Sequence, residues 1–255
     1  MIENKLLLSL LPFIIFNGML LASFFIFSII YRWRTRDESV PKFSHKTFIG
    51  EFLRQFAYWF TNPLIWIFIK LRFTPNTLTV SSLIIACFSG YYYYQGNFAV
   101  GGWVLVASGI LDGLDGRLAR ATGQVTLSGA YLDSTLDRYC DGIFLAGIAM
   151  YFRNDPLMLL ITILTIISSE LVSYSKSRGE NLGVKTNAGL MQRPERFVLL
   201  GLTSIFYPFI MVILSWYGIT KEYPMIIMMI IMCILTNYTA AVRIITVFRA
   251  IKAKG

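Results

Sequence analysis

Charge is scarce in this chain. Only 15% of its 255 residues are Asp, Glu, Lys or Arg, while 56% are hydrophobic; soluble domains carry about 25% charged residues. A soluble globule so poor in charge could not cover its surface, so lipid must be part of the solvent. Histidine is nearly absent, with His45 alone, and the three cysteines Cys87, Cys140 and Cys233 lie far apart in apolar stretches. No soft metal site and no disulfide framework can be built from these, and the cysteines read as small helix-packing residues. Acids are fewer than bases, 14 against 23, and the resulting +9 on an apolar background points to an anionic membrane surface rather than nucleic acid. Repeats, low-complexity tracts and nucleic-acid motifs are missing. The methionines Met225, Met228, Met229 and Met232 read as lipid-facing or core filler, since thioether is a poor ligand for hard ions.

Long uncharged runs are what the sequence does contain. A transmembrane helix needs about 20 apolar residues. Leu6 to Tyr31 is uncharged over 26 residues, and Phe73 to Leu111 over 39, enough for two spans turning at Gln95-Gly96-Asn97. Phe197 to Thr220 and Tyr223 to Val242 give two more around Lys221-Glu222, and two acid-bearing spans between 128 and 175 break at Arg153-Asn154-Asp155-Pro156. Seven spans result, the first least integrated with the rest and retained rather than cleaved, because Arg32, Arg34 and Arg36 follow it as a stop-transfer signal. With the amino terminus outside, 20 Lys/Arg fall inside and only Lys5, Arg153 and Lys221 outside, which places the carboxyl terminus in the cytoplasm. Tyr91 to Tyr94, Trp103, Trp216 and Tyr223 read as the outer aromatic belt. Over 46–72, Phe48, Phe52, Phe56 and Phe60 recur every four residues, with Lys46, Arg54 and Gln55 elsewhere on the wheel. That pattern predicts an amphipathic helix in the cytoplasmic interface, broken near Pro63. The expected architecture is an all-α polytopic membrane helix bundle: an extra transmembrane helix and basic linker (1–45), the interfacial helix (46–72) and a six-helix domain (73–255).

Five of the seven aspartates, Asp112, Asp115, Asp133, Asp137 and Asp141, fall within 30 residues at the cytoplasmic ends of two successive spans. Acids at membrane depth cost about 2.5–3.5 kcal/mol each on insertion scales, and like charges repel, so a positive partner is required. Asp112 and Asp115 are i, i+3 and Asp133 and Asp137 are i, i+4, so each pair shares a helix face. Oxygen ligands alone favour hard cations such as Mg²⁺, Mn²⁺ or Ca²⁺, and four carboxylates can hold two ions, Mg²⁺ (or Mn²⁺) being expected, in the arrangement used for displacement at phosphorus. Gly113, Gly116, Gly123 and Gly129 allow close backbone approach, and Arg117 and Arg120 supply phosphate-binding donors. A diphosphate substrate suits such a site. A divalent-cation transporter is the distant rival, but it predicts acids spread through the membrane depth, not gathered at one face beside arginines.

From Asp112 the string reads D-x2-D-G-x2-A-R-x8-G-x3-D-x3-D, carried by Asp112, Asp115, Gly116, Ala119, Arg120, Gly129, Asp133 and Asp137. Eight fixed positions give a chance match of about 10⁻¹⁰ per register. This string resembles, without departure, the signature of the CDP-alcohol phosphatidyltransferase family, and the resemblance covers about residues 70–248, including Thr74-Pro75-Asn76-Thr77-Leu78-Thr79. Ser173 to Arg196 looks like the phosphatidylinositol phosphate synthase branch in particular. The resemblance implies a homodimeric membrane enzyme whose two metals bridge the diphosphate of a CDP-lipid such as CDP-diacylglycerol. It implies that Asp112 and Asp133 touch both metals, Asp115 one and Asp137 the other, with Asp137 also the general base on the acceptor hydroxyl. It further implies that Gly116 and Arg120 contact the nucleotide diphosphate and that Asn76, Thr77, Leu78, Thr79 and Thr126 close around the cytidine. Asp141 continues the i, i+4 row and is expected to support the ligands from behind.

A second cluster is basic: Lys176, Arg178, Lys185, Arg193 and Arg196. Arg193 and Arg196 are i, i+3 around Pro194, where a helix starts, and arginine there is unfavourable for the macrodipole unless it faces an anion. Lys176, Arg178, Arg193 and Arg196 are therefore the expected phosphate ligands of a phosphorylated alcohol acceptor, inositol phosphate or alternatively glycerol 3-phosphate. Glu170, inside an apolar span, either pairs with one of these bases or lines the pocket.

Overall fold

The computed structural model describes residues 2–31, 48–186 and 188–253; Arg32, Arg34, Arg36, His45 and Lys46 lie outside them. Eight helices follow one another among the described residues: α1 (Ile2–Ile30), α2 (Phe48–Lys70), α3 (Pro75–Tyr94), α4 (Phe98–Thr122), α5 (Leu127–Tyr151), α6 (Pro156–Asn181), α7 (Arg193–Trp216) and α8 (Tyr223–Lys252). Every turn expected from an interruption of the apolar runs is present. α3 to α8 form the six-helix core, in which α3 packs on α4 and α5, α4 on α7, and α6 on α5 and α8. Helices α4, α6, α7 and α8 are long and apolar enough to cross a membrane. α3 is diluted by Thr, Ser and Tyr, and α5 by Asp133, Asp137, Arg138 and Asp141. The protein is a multi-pass membrane protein.

Local chemistry sets the helix starts. Thr74 caps α3 by accepting from the Thr77 amide at 3.2 Å, with Pro75 in the first turn. Asp155 caps α6 by accepting from the Leu157 and Met158 amides, both at 3.1 Å, ahead of Pro156. Each satisfies donors that the helix itself cannot, and proline loses nothing at that position. α4 ends at Gly123, whose φ of 68° is left-handed, and the chain re-enters α5 through Thr126, which accepts from the Gly129 amide at 3.0 Å. This tight α4–α5 hairpin returns the signature acids of both helices to one end of the bundle.

Lipid removes most of the hydrophobic drive between helices, leaving close packing and hydrogen bonds to join them. α3 and α5 cross at Gly90 and Gly147, where a Cβ on Gly147 would stand 2.2 Å from the Gly90 carbonyl oxygen. Buried hydroxyls add links of about 0.6 kcal/mol each: Ser168 to Thr236 at 2.6 Å and Tyr93 to Ser204 at 3.0 Å. The core around them includes Phe98, Leu105, Phe144, Ile148, Met225 and Met229.

Several details differ from the sequence expectations. Tyr93 is fully buried and bonded to Ser204, so it belongs to the core and not to the aromatic belt, whereas Tyr91 and Trp216 are exposed. A run of four consecutive tyrosines cannot keep one helix face. Cys87 is exposed rather than packed between helices. The four methionines of α8 are all core filler. Pro63 does not break α2, which continues through it to Lys70. Gln55 is buried instead of sharing a polar face, because Phe52 and Phe56 turn toward Phe24 and Phe27 of α1 and toward Tyr31 just beyond its end.

Candidate active site

α3, α5 and α7 start, and α4, α6 and α8 end, at the same end of the antiparallel bundle. The acids meet there. Asp112 from α4 and Asp133 and Asp137 from α5 each offer a carboxylate oxygen, all within 4.8 Å of one another. Three anionic oxygens at that spacing suit a hard divalent cation. Asp115, the fourth expected ligand, is buried and turned aside: its Oδ2 accepts from Thr79 Oγ1 at 2.6 Å, and its other oxygen accepts from the Gly116 amide.

A cavity of about 260 Å³ adjoins the cluster. Of the residues expected around the nucleotide, Asn76, Thr79, Gly116, Arg120 and Thr126 line it. Thr77 and Leu78 do not. Thr77 is engaged with the Thr74 cap, and Leu78 is buried against Leu114 and Leu118. Asp115 and Asp133 line the cavity too, so Asp133 belongs to both the metal-type cluster and the cavity wall. Gln124 and Val125, which the sequence did not single out, complete the rim from the α4–α5 turn. Loop residues without a periodic pattern leave no mark of that role in a sequence.

The two arginines at the start of α7 do face anions, and those anions are the chain's own. Arg193 Nη1 lies 3.0 Å from Asp112 Oδ2, Nη2 lies 2.8 Å from Asp137 Oδ1 and Nε lies 3.3 Å from Asp141 Oδ1. Arg196 Nη2 lies 2.9 Å from the other oxygen of Asp141. The positive partner demanded by the acid cluster is thus partly internal, and Asp141 joins both arginines. Lys176 is half-buried, and Arg178 and Lys185 are exposed, toward and beyond the end of α6. Glu170 has Asp141, Arg138 and Arg196 as its charged neighbours, which sets it behind the cluster. Arg243 was not expected. It is buried, donates Nε to the Ala188 carbonyl at 3.2 Å and Nη1 to the Val172 carbonyl at 2.8 Å, and ties α8 to α6 and the α6–α7 connector.

Residues 72–251 match the family model described as CDP-alcohol phosphatidyltransferase. The chain belongs to that family. It is accordingly a transferase of substituted phosphate groups in phospholipid biosynthesis, and the acid cluster sits where the family signature falls. An archaetidylinositol phosphate synthase of Pyrococcus horikoshii is 40% identical over 155 residues, which are 58% of this chain and 80% of that protein. A phosphatidylinositol phosphate synthase of Mycobacteroides abscessus is 34% identical over 152 residues, 57% of this chain and 68% of that one. Among solved structures, the phosphatidylinositol phosphate synthase of Mycobacterium tuberculosis in complex with manganese and citrate superposes with a TM-score of 0.66 at 25% identity, over 74% of this chain and 88% of that one. α1 and α2 lie outside the matched residues 72–251.

Proposed function

We propose that the chain transfers the phosphatidyl group of a CDP-lipid, CDP-diacylglycerol being the type, to a hydroxyl of inositol phosphate and releases CMP. The observation that carries this reading is Asp133, shared by the acid cluster and the 260 Å³ cavity. A ligand filling that cavity with its nucleotide end must bring its diphosphate against the carboxylates. The acceptor is supported by the names of the relatives from P. horikoshii and M. abscessus, both inositol phosphate-type synthases.

Asp112, Asp115, Asp133 and Asp137 would hold two Mg²⁺ or Mn²⁺ ions, which supply charge neutralisation at the diphosphate. Asn76, Thr79, Gly116, Arg120 and Thr126 would enclose the nucleotide, and Thr77 and Leu78 would shape the helix start beneath it. The Asp137 carboxylate takes the proton of the acceptor hydroxyl. The acceptor oxygen then bonds to the lipid-bearing phosphorus, whose bond to the CMP oxygen breaks. Lys176, Arg178, Arg193 and Arg196 would meet the acceptor phosphate, Arg193 doing so while it holds Asp137 in place. The active site and carboxyl terminus face the cytoplasm, the amino terminus lies outside, α2 rests in the cytoplasmic interface, and two copies assemble as a homodimer.

Purified protein with CDP-diacylglycerol, Mg²⁺ and a panel of acceptors tests the reading through CMP release. Inositol phosphate should outperform glycerol 3-phosphate, and free inositol should fail. CMP release that survives EDTA, or none with any acceptor, overturns it.

A further inference from the structure

α2 touches the signature although the whole helix lies outside the family match. Arg117 follows Gly116 and precedes Arg120 on the last turns of α4. Its guanidinium carbon stands 4.0 Å from the centre of the Tyr58 ring. Its Nη2 also donates to the Tyr58 carbonyl at 3.2 Å and to Asn62 Oδ1 at 2.8 Å. Nearly one turn along, Arg120 Nη2 lies 3.5 Å from the Tyr58 hydroxyl. One tyrosine therefore meets both Arg117, which lies within the signature stretch, and the signature's own Arg120, the first through its ring face and the second through its oxygen. Arg120 is also a wall of the nucleotide cavity.

The helix that carries this tyrosine is anchored on two sides. Toward the core, Ile65 is buried with Leu78, Leu114 and Leu118. Toward α1, Phe56 and Trp59 pack on Phe27, and Phe52 packs edge-on against Tyr31. Tyr58 and Asn62, four residues apart, share one face and hold the arginines between these anchors. An arginine already stacked and hydrogen-bonded loses less freedom on binding a diphosphate than one that swings in solvent. We propose that Tyr58 and Asn62 are positioning residues for the nucleotide end of the substrate: they fix Arg117 and aim Arg120 into the cavity, with α1 as the brace behind them. The inference rests on the reading of that cavity as the CDP-lipid site.

Equilibrium binding of CDP with Mn²⁺ to the full chain tests it, alongside KM for CDP-lipid and acceptor. Tyr58→Leu should weaken CDP by about tenfold (~1.4 kcal/mol), and Asn62→Leu in the same direction. Tyr58→Phe keeps the ring over Arg117 and should recover most of the affinity, and acceptor KM should stay unchanged in all three. Ile69→Ala, an exposed α2 residue away from the arginines, should bind as wild type. A helix that merely packs would lower thermal stability and leave CDP affinity alone. Wild-type affinity in both Asn62→Leu and Tyr58→Leu overturns the inference, as does acceptor KM moving in step with CDP affinity. If the wild type neither binds CDP nor releases CMP, the functional reading falls and takes this one with it. An active wild type with variant-independent CDP binding removes only the positioning role.

Discussion

Arg193 at the start of α7 places Nη2 2.8 Å from Asp137 Oδ1 on α5. The same guanidinium spans Asp112 and Asp141, so one side chain joins α4, α5 and α7 at the point where the signature acids converge. Asp137 is half-buried beside Asp112 and Asp133, and the arginine offsets part of that like charge.

Asp137→Asn keeps the size of the side chain and removes its capacity to accept a proton. General-base removal costs about 10²–10⁴ in rate, so kcat for CMP release should fall within that range. CDP affinity measured without acceptor should change far less. Equal losses in both would make Asp137 a binding residue only.

Arg193→Ala leaves Asp112, Asp137 and Asp141 without their shared cation. Charged hydrogen bonds are worth about 1.5–3 kcal/mol, and these are partly solvent-accessible, so thermal stability in EDTA should fall by the lower part of that range. Mg²⁺, which neutralises the same carboxylates, should restore much of it. A variant as stable as wild type in EDTA would show that the acids do not need the arginine.

The spacing of acids and apolar runs carries the helix order and the acid cluster, because both depend on period and covalent proximity alone. Asp112 with Asp115 and Asp133 with Asp137 sit one turn apart, and a four-residue turn faces them together. The pairing of Arg193 with Asp137 spans 56 positions and follows from how α7 docks on α4, which no local pattern encodes. The basic cluster was legible as an anion site, but not that its first anions are Asp112, Asp137 and Asp141. Tyr58 was invisible for a similar reason: a tyrosine among Phe52, Phe56 and Trp59 looks like one more apolar residue until Arg117 is seen beneath its ring.

Asp141 accepts from Arg193 Nε at 3.3 Å and Arg196 Nη2 at 2.9 Å, one oxygen for each. Asp141→Ala releases Arg196 and leaves Arg193 held by Asp112 and Asp137 alone, at the proposed acceptor side, while the 260 Å³ cavity, which Asp141 does not line, stays intact. KM for the phosphorylated acceptor should rise by about tenfold, the kinetic equivalent of one charged hydrogen bond, with KM for CDP-lipid nearly unchanged. Asp141→Glu should recover part of the loss. A fall in kcat alone, with both KM values as in wild type, would argue against orientation of the acceptor.

Two glycines of α5 provide a paired test of the packing. At Gly147 an added methyl would stand 2.2 Å from the Gly90 carbonyl oxygen and 2.8 Å from its carbon, both backbone atoms that cannot swing away, so α3 and α5 must separate. Overpacking of this kind costs about 1–3 kcal/mol, and lost contact along the α3–α5 seam adds to it, so Gly147→Ala should lower the melting temperature in detergent and shift the Asp133 and Asp137 end of α5 away from α4. At Gly142, five residues earlier on the same helix, an added methyl meets nothing within 4 Å. Alanine there gains up to about 1 kcal/mol of helix propensity at no steric cost, so Gly142→Ala should match or exceed wild-type stability. Equal behaviour of the two variants would mean that the crossing at Gly90 does not set how closely α3 and α5 approach.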